Sequence, residues 1–197
     1  MRLEAEYTAA PGTPRAGVVL CHPHPQYGGT MRSLVTSALF EALPPAGYAT
    51  LRFNFRGVEG SEGSWDNGVG ERDDVVAAVD ALAGELTSSA PLALVGWSFG
   101  GDMVLSIADT RIAGWCAIAP PLRFSDSAPV AADGRPKHLV LAEHDEVRAP
   151  REIADAVAPW TATTVEIIGG ASHFFVGRTD RVVAVVDGFC ARLRSAG

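Results

Sequence analysis

The sequence predicts a doubly wound α/β fold, a mostly parallel sheet with helices on both faces. Three observations carry this reading. Apolar runs of strand character alternate with helix-like patterns along all 197 residues. Most of these runs are apolar at successive positions, as in AGVVL (16–20) and LALVG (92–96), which suits strands covered on both faces. No repeat, low-complexity tract or linker interrupts the alternation, so residues 1–197 read as one domain. Right-handed crossovers then place helices on each face. A sheet of that kind holds its sites in the loops beyond the carboxyl ends of its strands.

In chain order, a weak opening strand falls in RLEAEYT (2–8) and a strong one in AGVVL (16–20). A helix is expected over Met31–Ala42, then the strand ATLRF (49–53). The next helix, Glu71–Gly84, gathers Val75, Val76, Val79 and Leu82 on one face, with acidic residues in its first turn where the helix dipole favours them. LALVG (92–96) leads into a helix over Phe99–Asp109, followed by the strand AGWCAIA (113–119). The 17 residues from Pro120 to Pro136 form an irregular connection. HLVLA (138–142), a helix over Arg151–Ala158 and TVEII (164–168) follow. The last helix, Thr179–Arg194, shows Val182, Val185, Val186 and Phe189 on one face.

Composition narrows the function classes. Sixteen Lys and Arg against 23 Asp and Glu give a net charge of -7, and no cationic cluster is present, which argues against a nucleic-acid partner. The first residues hold no apolar signal core, and no run approaches the ~18 apolar residues of a membrane span. Three widely spaced cysteines, Cys21, Cys116 and Cys190, fit buried reduced thiols rather than a disulfide framework, so a cytoplasmic protein is expected. No G-x-G-x-x-G follows the first strong strand, and no cofactor is called for.

The chemistry lies at the strand ends. After LALV comes Gly96-Trp97-Ser98-Phe99-Gly100, a G-x-S-x-G at a strand-to-helix turn. Such a turn needs small residues beside the serine and lifts its hydroxyl clear of the sheet. A serine needs a base, and the order serine, acid, histidine leaves His173, in GGASHFF directly after TVEII. The acid should follow HLVLA, where Glu143, Asp145 and Glu146 stand together; Asp145 is the choice and the two glutamates are its rivals. A developing oxyanion needs donors. The amide of Phe99 is one. In the loop CHPHPQYGG, Pro23 and Pro25 have no N–H, which leaves the amide of His24, with Tyr27 as the alternative. Tyr27, Trp97 and Phe174 are candidate substrate contacts, and the side chain of His22 is read as a loop strut. A zinc site using Cys21, His22, His24 and a carboxylate is the rival chemistry; His22 and His24 form an H-x-H pair, but Pro23 and Pro25 constrain its geometry and no third ligand is evident.

At these residues the chain resembles the α/β-hydrolase superfamily. HPHPQYGG, FNFRGVEGSEG (53–63), GWSFGG, AEHDE and GASHFF stand in family order over nearly the whole chain. It is most similar to the small lidless members described as dienelactone-hydrolase-like, with HPHP in place of the usual HG oxyanion motif and Ser98 where a dienelactone hydrolase proper carries cysteine. The resemblance implies a Ser98–His173–Asp145 triad and hydrolysis of an ester or related acyl bond in a small-molecule substrate; the 17-residue Pro120–Pro136 connection is too short for the cap domain many relatives insert there, which predicts an open site. Thioester and lactone cleavage share that mechanism, and a non-catalytic binding protein on the same fold is the remaining alternative. Arg56 and Glu59 are expected to anchor the 53–63 loop rather than to touch substrate.

Overall fold

A computed structural model describes residues 1–86 and 89–194. Its strands are β1 (Ala5–Thr8), β2 (Ala16–Cys21), β3 (Tyr48–Phe53), β4 (Leu92–Trp97), β5 (Ile112–Ile118), β6 (Lys137–His144) and β7 (Thr163–Ser172). They form a seven-stranded sheet in the order β1-β3-β2-β4-β5-β6-β7. Only β1 runs antiparallel, against β3; the other pairs are parallel. The chain builds outward from β2 to β3, then crosses back to place β4 on the other side of β2. The switch point therefore lies between β2 and β4, whose carboxyl ends carry the HPHP loop and Ser98.

The apolar strands fill two cores. On one face Val19, Leu51, Leu94, Trp115 and Leu139 pack with residues of α2 (Gly70–Glu85), α3 (Phe99–Val104) and α5 (Pro150–Val157). On the other, Val18, Leu20, Val95, Ile118 and Val140 meet α1 (Leu34–Ala42) and α6 (Thr179–Cys190). Alternate residues of one strand thus feed opposite layers, which is why the runs read as continuously apolar. The three cysteines are buried free thiols. Among the described residues, no helix is long and apolar enough to cross a membrane.

Element boundaries depart from the sequence reading where side chains take over backbone groups. α1 begins at Leu34 rather than Met31, because the amides of Thr30, Met31 and Arg32 donate to Ser33 Oγ, Asn54 Oδ1 and Thr30 Oγ1. α3 ends at Val104 rather than Asp109. Beyond Leu105, the amides of Ser106 and Ile107 bond three residues back, and Ser106 Oγ donates to the Asp102 carbonyl. α6 ends at Cys190 rather than Arg194, and its tail tightens in the same way through Arg192 and Leu193. β7 extends to Ser172, with an irregularity opposite 142–144. The Pro120–Pro136 connection contains one short helix, α4 (Ala128–Ala132).

Candidate active site

Ser98 sits between β4 and α3 with φ 55° and ψ -118°, a backbone region rare for residues with a side chain. The turn closes only because its neighbours are glycines. A Cβ on Gly96 would run into the carbonyl of Gly100, and one on Gly100 into the carbonyl of Cys21. The Ser98 amide donates to the Ile118 carbonyl at 2.7 Å, fixing the turn to β5.

His173 lies over this turn. Its Nε2 is 2.9 Å from Ser98 Oγ, and its Nδ1 is 2.9 and 3.0 Å from the two carboxylate oxygens of Asp145. A carboxylate only accepts, so Nδ1 carries the proton and Nε2 keeps a lone pair toward the serine hydroxyl. All three groups are largely buried. Asp145 is itself held, its Oδ1 accepting the amides of Val147 (2.9 Å) and Arg148 (3.2 Å).

The rival acids face the backbone of the histidine loop instead. Glu146 accepts the His173 amide at 3.2 Å and Glu143 the Gly170 amide at 2.7 Å. Trp97 Nε1 donates to the His173 carbonyl at 3.1 Å. Of the three clustered acids, only Asp145 meets the imidazole, and the two glutamates and Trp97 hold the loop that carries it.

The HPHP loop is stiffened in a similar way. His22 is fully buried; its Nδ1–H donates to the Pro23 carbonyl at 2.6 Å and its Nε2 accepts the Phe55 amide at 3.0 Å. Burial holds its pKa down at about 4, so the ring is neutral. With both nitrogens engaged, His22 has no lone pair free for a metal, and its role is the strut. The His24 carbonyl accepts the amides of Tyr27 and Gly29, and its Nδ1 accepts the Gln26 amide. Its own N–H donates to no protein acceptor among the described residues. The Tyr27 amide is consumed in that turn, which removes it as the alternative oxyanion donor. The Phe99 amide opens α3, where helix amides have no partner in the preceding turn.

These groups border a cleft of about 590 Å³. Ser98, His173, Phe99 and His24 lie in it, and Tyr27, Trp97 and Phe174 form walls. Tyr27 and Phe174 are 86% and 53% exposed at its mouth, whereas Trp97 is 5% exposed. The His24 ring stacks among Trp65, Phe99 and Phe124 at 4.6–5.3 Å between centroids. Arg56 and Glu59 do not reach the cleft: Arg56 pairs with buried Asp74 at 2.7 Å, and Glu59 accepts from Arg32 and Asn54.

Known proteins are similar to this chain in sequence and fold. The pattern of the X-Pro dipeptidyl-peptidase (S15) family matches residues 10–144. The chain belongs to this family of α/β serine hydrolases. It is 32% identical over 209 residues to the uncharacterized protein RP471 of Rickettsia prowazekii (strain Madrid E), covering 98% of this chain and 86% of that one. An α/β serine hydrolase homologue from Coxiella burnetii superposes with a TM-score of 0.84 at 33% identity, over 96% of this chain and 90% of that one. XC6422 from Xanthomonas campestris, described as an α/β serine hydrolase without lid, gives 0.83 at 27% identity, over 94% and 87%.

This S15-family hydrolase also builds its cleft from residues the sequence reading passed over. Pro121, Arg123 and Phe124 come from the Pro120–Pro136 connection, Ser33 and Leu34 from the start of α1, and Val147 from the loop after β6. In the sequence, only its length marks this connection. Its signal lay in Asp102, a charged residue inside an otherwise apolar helix start. That side chain is fully buried and accepts the amides of Leu122, Arg123 and Phe124 at 2.8, 2.8 and 2.9 Å. Burial pushes its carboxyl up to about 6 against the pull of those three amides.

Proposed function

We propose that this chain is a serine hydrolase that cleaves a carboxylic ester through an acyl-enzyme. The observation that carries the proposal is the continuous hydrogen-bonded line from Ser98 Oγ through His173 to Asp145, with contacts of 2.9–3.0 Å. In the proposed reaction, Ser98 Oγ attacks the acyl carbon while His173 Nε2 takes its proton, and Asp145 stabilises the resulting imidazolium. The amides of Phe99 and His24 receive the oxyanion. When the acyl–oxygen bond of the leaving alcohol breaks, His173 returns the proton to that alcohol. A water then gives its proton to His173 and attacks the acyl-enzyme. Release of the acid restores the Ser98 hydroxyl. Only chain residues and water take part.

The family is described by an X-Pro dipeptidyl-peptidase activity, but the cleft favours an ester. Cleavage of a dipeptide from an N-terminus requires a group that holds an α-ammonium, and carboxylates serve that purpose. The residues lining this cleft include neither Asp nor Glu. Its aromatic walls at Tyr27, Trp97 and Phe174 suit an apolar acyl or alcohol group. Thioesters and lactones fit the same machinery. The test is turnover of a panel of p-nitrophenyl esters and of an X-Pro p-nitroanilide by wild type and Ser98→Ala. Ester cleavage lost in the variant is the expected result. Cleavage of the anilide with no ester activity would replace the ester reading with the peptidase one.

A further inference from the structure

Arg123 is the one permanently charged side chain among the residues lining the cleft. Among the described residues its side chain makes a single hydrogen bond, from Nη2 to the Val147 carbonyl at 3.3 Å. Among the described residues no carboxylate lies within 4.0 Å of it, in a chain with 23 Asp and Glu. Arg148, on the neighbouring loop, differs: it donates to the Pro121 carbonyl at 2.7 Å and pairs with Glu152 at 3.5 Å. Most of the guanidinium fork of Arg123 thus remains open toward the cleft and its solvent.

The backbone that carries Arg123 is fastened to the nucleophile. Asp102 stands four residues after Ser98, and its carboxylate collects three successive amides, that of Arg123 in the middle. Leu122 is held at φ 52°, a left-handed conformation unfavourable for a branched residue. A buried carboxylate and a strained residue therefore fix where Arg123 emerges relative to Ser98. A surface arginine without a role in the cleft requires neither.

We propose that Arg123 is an anion-recognition residue and that the ester cleaved at Ser98 carries a free carboxylate. This rests on the ester-hydrolase reading above. A guanidinium offers paired donors matched to a carboxylate, and the apolar walls beside it strengthen the attraction relative to open water. The substrate class is then an ester with an apolar or aromatic body along Tyr27, Trp97 and Phe174 and an acidic end at Arg123.

The test uses two matched pairs of esters. One places the carboxylate on the acid part (mono-p-nitrophenyl glutarate against p-nitrophenyl pentanoate). The other places it on the alcohol part (meta-butanoyloxybenzoate against phenyl butanoate). In at least one pair, Arg123→Gln is expected to lower kcat/KM for the anionic member about tenfold and to leave the neutral member within about twofold. Arg123→Lys should retain part of the preference, and added salt should weaken only the anionic reaction. Equal effects on both members, or none, in both pairs overturn the proposal. Neutral-ester turnover reports separately on the ester-hydrolase reading. If it is absent, binding of the anionic esters to Ser98→Ala and to Ser98→Ala/Arg123→Gln still decides: tighter binding that depends on Arg123 supports the site, and equal binding overturns it.

Discussion

Two loops converge on Ser98, and they are held in different ways. The HPHP loop after β2 is stiffened mostly from within, with one outward tie from His22 Nε2 to the Phe55 amide. Two prolines, the His22 strut and three amides folded back onto His24 fix it. The Pro120–Pro136 connection after β5 has no such internal frame at its start. One carboxylate from another element, Asp102, fastens it across about twenty residues of chain. The first loop positions the amide proposed to receive the oxyanion, and the second positions side chains proposed to meet the substrate. The difference teaches that the amide proposed to receive the oxyanion is set largely by its own loop, while the groups proposed to read the substrate hang from a staple on another element that is easier to alter.

The largest expected effect separates the acids on the histidine side. Asp145→Asn should reduce kcat by about 10⁴-fold, because the imidazole loses the partner that fixes its tautomer. Glu143→Gln and Glu146→Gln keep an oxygen that can accept the loop amides and should stay within about tenfold of wild type. Steady-state kinetics of the three variants checks this, and a Glu146→Gln loss equal to that of Asp145→Asn would reverse the assignment.

Gly100→Ala should come next, destabilising the fold by about 3 kcal/mol through the collision with the Cys21 carbonyl. Denaturant unfolding measures it. Asp102→Ala should cost roughly 2 kcal/mol, since three part-buried amides lose their acceptor. If the comparison of the two loops is right, this variant raises KM more than it lowers kcat, while the fluorophosphonate reactivity of Ser98 is retained.

These contacts also mark what could be read before the structure. The sheet was legible because both faces are covered, so strands such as Val18–Leu20 are apolar at every position. Ser98 and His173 were legible because glycine spacing and chain order are local signals. The choice of Asp145 over Glu143 and Glu146 was not fully legible: three carboxylates within four residues differ only in where the backbone turns them. Arg123 and Asp102 were invisible because their relation spans two elements. The early end of α3 was missed for a related reason, since Ser106 bonds the backbone where helix propensity would have continued the ladder.

The last effect concerns pH and the local frame. His22 has a pKa near 4 in the fold and an ordinary value of 6.5. Between those values the unfolded chain binds the proton and the native state does not. Its contribution to stability is therefore complete above 6.5 and is lost as pH falls toward 4, at a slope of up to about 1.4 kcal/mol per pH unit. Asp102, pushed from 3.8 up to about 6, works in the opposite sense, favouring the fold at low pH and losing that as pH rises through 6. His22→Gln removes only the first, so stability of variant and wild type measured from pH 7 to 4 should converge as pH falls. Parallel curves would mean that His22 is not held neutral.

The central claim is that Ser98 is a nucleophile activated by His173. Intact mass after treatment with a fluorophosphonate probe tests it without any choice of substrate. One covalent adduct on wild type, none on Ser98→Ala and strongly slowed labelling of His173→Ala are predicted. Folded wild type that takes no adduct, or labelling that persists in Ser98→Ala, would contradict it.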